Sequence, residues 1–178
     1  MSGHSKWSQI KHKKAIVDAK KGVVFGKLAK AISIAARGNP DPSTNLRLKG
    51  EIERARAANM PSDNIERAIR RVADKNASEL SEVEVHLIGP GGVGIIVEAV
   101  TDNSNRTIME LKTLAAELGG RMAGQGTLSW MFRREGNEWV PAVPMPVTDT
   151  AAVTQLEKLL EALDEHDDVQ HVFTNGEW

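Results

Sequence analysis

The chain has 178 residues, 40% of them hydrophobic and 26% charged, which is ordinary for a globular protein of one or two cored domains. It contains no cysteine, so disulfides and thiolate metal sites are excluded, and no apolar run approaches the roughly 20 residues of a membrane span. The formal net charge of −1 conceals a division: residues 1–80 hold 17 Lys and Arg against 8 Asp and Glu, whereas the remainder holds 6 against 16. Such asymmetry points to a nucleic-acid partner, because attraction to phosphate acts locally and not through the whole-chain average. The first residues are polar and basic without an apolar signal core, so a cytoplasmic protein with no membrane partner is expected.

Residues 1–21 read as a basic arm (1–8) followed by a short helix near 10–20, with Gly22 interrupting it. From Val23 the apolar residues Phe25, Leu28, Ile32 and Ala35 recur at helical spacing, and Gly38, Pro40 and Pro42 end the run. Asn45 is placed to cap a second helix whose inner face is Leu48, Ile52 and Ala55. A third helix begins at Pro61; Asp63 and Glu66 have capping-box spacing, and Ile65, Ile69 and Val72 form its stripe. Short amphipathic helices bury such stripes against one another, so residues 22–75 are expected to form a three-helix bundle.

Residues 76–82 are polar and read as a linker to an α/β domain over 83–178. There the period changes to two. Val83, Val85 and Leu87 form one strand, Gly89-Pro-Gly-Gly92 a turn, and 93–100 a β-branched strand. Residues 105–118 are helical, with Ile108, Leu111, Ala115 and Leu118 inside and Gly119-Gly120 as the stop; Ser104 or Asn105 is the expected cap. Leu128, Trp130 and Phe132 alternate as a strand, and 139–147 is an edge strand or connector because Pro141, Pro144 and Pro146 cannot donate to a ladder. Thr148 caps a last helix with Val153, Leu156, Leu160 and Leu163 inside, and 169–174 closes as a strand. The whole is therefore α+β, with a β-α-β-β-α-β order from 93 onward that is ferredoxin-like. The strand at 83–88 is extra, and it must displace something beside the central first strand of that fold.

The strongest constellation is Lys6, Trp7, Lys11, His12, Lys13, Lys14, Lys20, Lys21, Lys27 and Lys30. Residues 1–37 hold nine Lys and Arg against Asp18 alone. Clustered cations bind a phosphate backbone by releasing its counterions, and Trp7 offers a face on which a base can stack. The competing reading is a solvated lysine face with Trp7 packed inside, but such a face ordinarily pairs its lysines with acids four residues away. Arg106, next to Asn103 and Asn105 at a helix start, is a further phosphate or base contact, beside a plain capping role for its neighbours. In the third helix Arg67, Arg70 and Arg71, with Asn64, suit either a phosphate backbone or base edges.

Other motifs carry less. Gly89-Pro-Gly-Gly-Val-Gly94 precedes a strand, whereas a phosphate cradle opens a helix, so a nucleotide hydrolase is disfavoured. Asp164-Glu-His-Asp-Asp168 reads as a solvated helix end and not a metal site, and His4, His12, His86 and His171 have no ligand spacing. The Gly-rich segment 119–126 reads as a connector. No catalytic set stands out; neither catalysis, cofactor nor metal is expected, and nothing bears on oligomeric state.

Together Gly3-His-Ser-Lys-Trp7, Ile10-Lys-His-Lys-Lys-Ala15, Asn59-Met-Pro61, Asp63-Asn-Ile-Glu-Arg-Ala68, Gly89-Pro-Gly-Gly92, Thr101-Asp-Asn103, Asn105-Arg-Thr107, Ser129-Trp-Met-Phe132, Asp168-Val-Gln170 and Thr174-Asn175 closely resemble the YebC family. That family comprises bacterial YebC/PmpR proteins and the mitochondrial translational activator of cytochrome oxidase subunit 1. The resemblance implies a helical domain, a central α/β domain and a third domain inserted within the second. It also implies a non-enzymatic role in gene expression, as a DNA-binding transcriptional regulator or as a translation factor at ribosomes stalled on proline runs. After Phe132 the family continues through the inserted domain; here 133–147 bridges straight to the closing helix, so that domain is expected to be absent. RNA on the ribosome is the favoured partner, with DNA as the alternative.

Overall fold

A computed structural model describes residues 21–74 and 79–178. The arm, the expected helix at 10–20, residue 75 at the end of the expected bundle and 76–78 of the expected linker lie outside the described residues. The described residues divide into two compact units, one of 21–74, 79–83 and 100–104, the other of 84–99 and 105–178.

The first unit contains helices α1 (Lys21–Ala35), α2 (Leu46–Ala57) and α3 (Ser62–Arg70), with a 3-10 turn at Arg71–Ala73. They share one core of Leu28, Ile32, Ala36, Leu48, Ile52, Ala55, Met60, Ile65 and Ala68. Gly22 does not interrupt a helix: it lies inside α1, where the helical backbone tolerates glycine at about 1 kcal/mol. Asn45 joins the first two helices. Its Oδ1 accepts from the Leu48 N–H at 3.0 Å, and its Nδ2 donates to the carbonyls of Ala35 and Asn39, each at 2.7 Å. One side chain thus satisfies orphan groups at the end of α1 and the start of α2. In the connecting loop Asp41 accepts from both the hydroxyl and the backbone N–H of Ser43, and these bonds hold its carboxyl below the ordinary value.

Two details of α3 differ from expectation. The helix already starts at Ser62, after Pro61, so Asp63 lies within the first turn and forms no capping box. Glu66 pairs instead with Arg70 at 2.8 Å. Val72 is 40% exposed because the 3-10 turn carries it off the stripe, and Ala68 takes the buried place beside Ile65.

The second unit is built on a four-stranded sheet. Its strands are β1 (Ser81–Ile88), β2 (Gly94–Thr101), β3 (Arg121–Met122) and β7 (Val169–Thr174), in the order β3-β1-β2-β7. β7 runs antiparallel to β2, with Ile96 opposite Phe173, and β3 antiparallel to β1, with Leu87 opposite Met122. This order resolves the placement of the extra strand. β2 has two edges, and β7 and β1 occupy both. The segment expected as a strand at 128–132 lies outside this sheet, and residues 125–131 form turns. Leu128 and Met131, three apart, are its buried residues, while Trp130 is 57% exposed. Only β4 (Phe132–Glu135) is extended there, and it pairs with β5 (Glu138–Pro141) in a separate hairpin.

Helix α4 (Ser104–Glu117) buries Thr107, Leu111 and Ala115. Gly119, at φ +80°, ends it as expected. Helix α5 (Thr150–Glu165) buries Leu156, Leu159, Leu160 and Leu163, and its cap is Asp149, one residue after the expected Thr148. A Cβ on Gly89 would meet Ile95 at 2.9 Å and Leu156 at 3.3 Å, so α5 packs close to the Ile95 side of β2. The opposite side of β2, at Ile96, carries Leu128, Met131 and Phe132, with Trp139 and Phe173 around them. The proline-rich segment is largely a connector, with β6 (Met145–Pro146) pairing in parallel with β8 (Gly176–Glu177). No helix among the described residues is long and apolar enough to cross a membrane.

The closing turn rests on Asn175, which is 1% exposed. Its Oδ1 accepts from the Gly94 N–H and its Nδ2 donates to the Val143 carbonyl, both at 2.8 Å. Asn175→Ala leaves both groups without a partner and should lower unfolding free energy by about 2–4 kcal/mol, measured by urea titration.

Candidate nucleic-acid interface

Of the cations singled out in the sequence, Lys6, Lys11, Lys13, Lys14 and Lys20, together with Trp7 and His12, lie outside the described residues. Lys21 opens α1 and is exposed; Lys27 and Lys30 are half-buried farther along it, and all three are already engaged in interactions.

The described part of the first unit contains a basic groove between α1 and α3, of about 740 Å³. Helical spacing builds both walls. Phe25, Ala29 and Ser33 recur every four residues along α1, with Gly26 beside them; Asn64, Arg67 and Arg71 form the facing stripe, three and then four residues apart. The buried Ile65 and Ala68 hold α3 to the core, and Ala68 also lines the groove. Small residues keep the groove open, and a Cβ on Gly26 would meet nothing within 4 Å. Met60 lies at the base, 6% exposed. Arg67, Arg70 and Arg71 stand against a single lining acid, Asp74. Arg70 is tied to Glu66, but Arg67 and Arg71 have no acidic partner among the described residues. A second hollow of about 340 Å³ adjoins, lined in part by Arg37 and sharing Arg71, Ser33 and Asp74 with the first. The sequence signalled Asn64 and the three arginines; the wall on α1 was not legible, because it requires the packing of two helices.

Arg106 is not an isolated cation. Its guanidinium reaches Asp168 Oδ2 at 3.1 Å and Glu110 at 4.0 Å, although its side chain remains 45% exposed. Thr107 Oγ1 donates to the same Asp168 oxygen at 2.6 Å. Asp168 is therefore 4% exposed, which corrects the expectation of a uniformly solvated end to the last helix. Arg106 and Thr107 supply the partners that a buried carboxylate needs.

Glu110, His166 and Asp168 also bring ligand-type atoms within 4.8 Å of one another. The hydrogen bonds assign them a different task. His166 Nδ1 accepts from the Asp168 N–H at 3.2 Å, so Nε2 carries the proton and donates to Glu110 at 3.0 Å.

A second network lies on the Ile96 side of the sheet. Glu84 accepts from Trp139 Nε1 at 3.0 Å and pairs with His86 and Arg134; Arg134 also reaches Glu98 and stacks 4.2 Å above the Trp139 ring. Both networks join secondary-structure elements: Arg106 and Thr107 at the start of α4 meet Asp168 beside β7, and Glu84 of β1 meets Arg134 and Trp139 of the β4–β5 hairpin. The Gly89–Gly94 segment is a tight turn leading into β2, with Gly91 and Gly92 at positive φ. Asp168→Ala removes the shared partner of Arg106 and Thr107 and should cost about 2–3 kcal/mol of stability, given the partial exposure of Arg106; a thermal melt measures this.

Comparison with known proteins assigns both units. The TACO1/YebC protein N-terminal domain matches residues 5–75, and the TACO1/YebC second and third domain matches in two pieces, 80–137 and 136–176. A "probable transcriptional regulatory protein" of Petrotoga mobilis is 41% identical over 179 residues, covering 99% of this chain and 71% of that protein. One from Synechococcus sp. strain JA-2-3B'a(2-13) is 50% identical over 139 residues, covering 76% and 56%. The chain thus spans about half to three quarters of these two relatives. The crystal structure of a conserved hypothetical protein from Aquifex aeolicus superposes with a TM-score of 0.89 at 32% identity, spanning 97% of each chain. With both of its units matched in order, the chain belongs to the TACO1/YebC family.

Proposed function

We propose that this protein is a non-enzymatic, nucleic-acid-binding regulator of gene expression that acts in the cytoplasm on ribosomal RNA, where it relieves stalled, proline-rich synthesis. The observation that carries the reading is the arginine groove between α1 and α3, set in a region of 17 basic against 8 acidic residues. The regulatory role is supported by the names of the relatives, and the translational role by the resemblance to the mitochondrial activator. The arm residues Lys6, Trp7, Lys11, His12, Lys13 and Lys14 extend the same cationic character along the sequence. We also read the protein as a short form without the family's inserted domain. The two family matches meet at the β4–β5 hairpin, and the curated relatives are longer.

A second reading, a DNA-binding transcriptional regulator, follows the relatives' names. A recognition helix must present its reading face outward to enter a major groove. Asn64, Arg67 and Arg71 instead line a groove whose other wall is α1, which favours RNA.

Reversing charge at Lys11, Lys13 and Lys14 together should weaken RNA binding and reduce the slope of log affinity against log salt by about 2–3, as measured by fluorescence anisotropy. Unchanged affinity for both ribosomes and duplex DNA refutes the arm's role. Crosslinking in cells should recover ribosomal RNA; recovery of promoter DNA without it reverses the order of the two readings.

A further inference from the structure

We infer that the groove between α1 and α3 holds one unpaired nucleotide of a single-stranded segment. Its base lies against Phe25, Ala29 and Met60, and its phosphate sits at Arg71. The inference rests on the nucleic-acid reading above and specifies the form of nucleic acid bound.

Size, lining and charge each contribute. A hollow of about 740 Å³ falls within the range of sites that enclose a whole small organic molecule and is far larger than a lone phosphate requires. Its base is apolar and its rim cationic. A duplex offers a protein phosphates and base edges, so an apolar floor recessed below arginines gains nothing from it. An unpaired base has exposed π faces that gain from apolar cover. Asn64 on the α3 wall has an amide that donates and accepts, which suits a base edge, and it makes no side-chain hydrogen bond among the described residues. Arg71 lies where the two hollows meet and lacks an acidic partner among the described residues, which places the phosphate at that junction and lets the strand run on past Arg37. Asp74, and Glu79 in the second hollow, oppose the phosphate, but Arg67, Arg71 and Arg37, which have no acidic partner among the described residues, outnumber them.

The test uses the full chain and a ten-nucleotide single strand carrying one 2-aminopurine, as RNA and as DNA, beside a duplex of the same sequence. Two variants separate shape from charge. Gly26→Leu fills the groove without altering charge, at a position with open space and better helix propensity, so the fold is kept. Arg71→Gln removes the phosphate contact. Each variant should weaken single-strand binding at least tenfold and leave duplex binding within twofold, and Gly26→Leu should abolish the 2-aminopurine fluorescence change. The RNA and DNA strands show which sugar the site prefers. Unchanged single-strand affinity and fluorescence in Gly26→Leu overturn the inference. So does an equal fall for single strand and duplex in Arg71→Gln, which leaves the broader nucleic-acid reading intact. If the unaltered protein binds neither oligonucleotide at low salt, both readings fall.

Discussion

The buried hydrogen bond from Ser33 Oγ to the Ala68 carbonyl, 2.8 Å long, sets how closely α1 and α3 approach. Such a contact needs a small side chain on one helix and an accessible carbonyl on the other. It also occupies a hydroxyl that would otherwise be buried without a partner. On the core side of this bond the helices close over Leu28, Ile32 and Ile65. On the other side the small Gly26 and Ala29 leave the space between the helices unfilled, and arginines line the opening. The basic groove is thus a direct product of the packing that stabilises the unit.

The same logic governs the second unit, where paired groups take the place of free ones. Asp168 is buried only because Arg106 and Thr107 meet it, and Glu84 gathers Trp139, Arg134 and His86 on the side of the sheet away from α5. These groups resemble functional sites in composition, yet their hydrogen bonds are largely taken up internally. The contrast with Arg67 and Arg71, which lack acidic partners among the described residues, is what gives the groove its interest. A cation already neutralised offers a phosphate much less than one that is not.

Periodicity made most of the fold legible. Leu28, Ile32, Leu48, Ile52, Leu156 and Leu160 all face a core as their spacing indicates. The strand expected through Leu128 and Phe132 did not form: alternation over five residues is a short signal, and turns through 125–131 bury Leu128 and Met131, three apart, instead. Caps were legible to within a residue: Asn45 holds its place, while Asp149 replaces Thr148 and Pro61 makes a box at Asp63 unnecessary. As for the site, a cluster of like charge is a property of sequence, so the arginines of α3 were visible. A groove is a property of two elements at once, so the contribution of Phe25, Ala29 and Met60 was not.

The separate hairpin has a consequence for how this architecture varies in length. Because β4 and β5 pair with each other and not with the sheet, the ladder from β3 to β7 is complete without them. Their turn passes through Gly136, at φ +62°, where the two matches to the family's second and third domain meet. Chain added or removed at such a tip leaves every sheet hydrogen bond in place and incurs only the slowly growing entropy of a longer loop. The hairpin tip is therefore a point where the chain could lengthen or shorten while the surrounding sheet keeps its register.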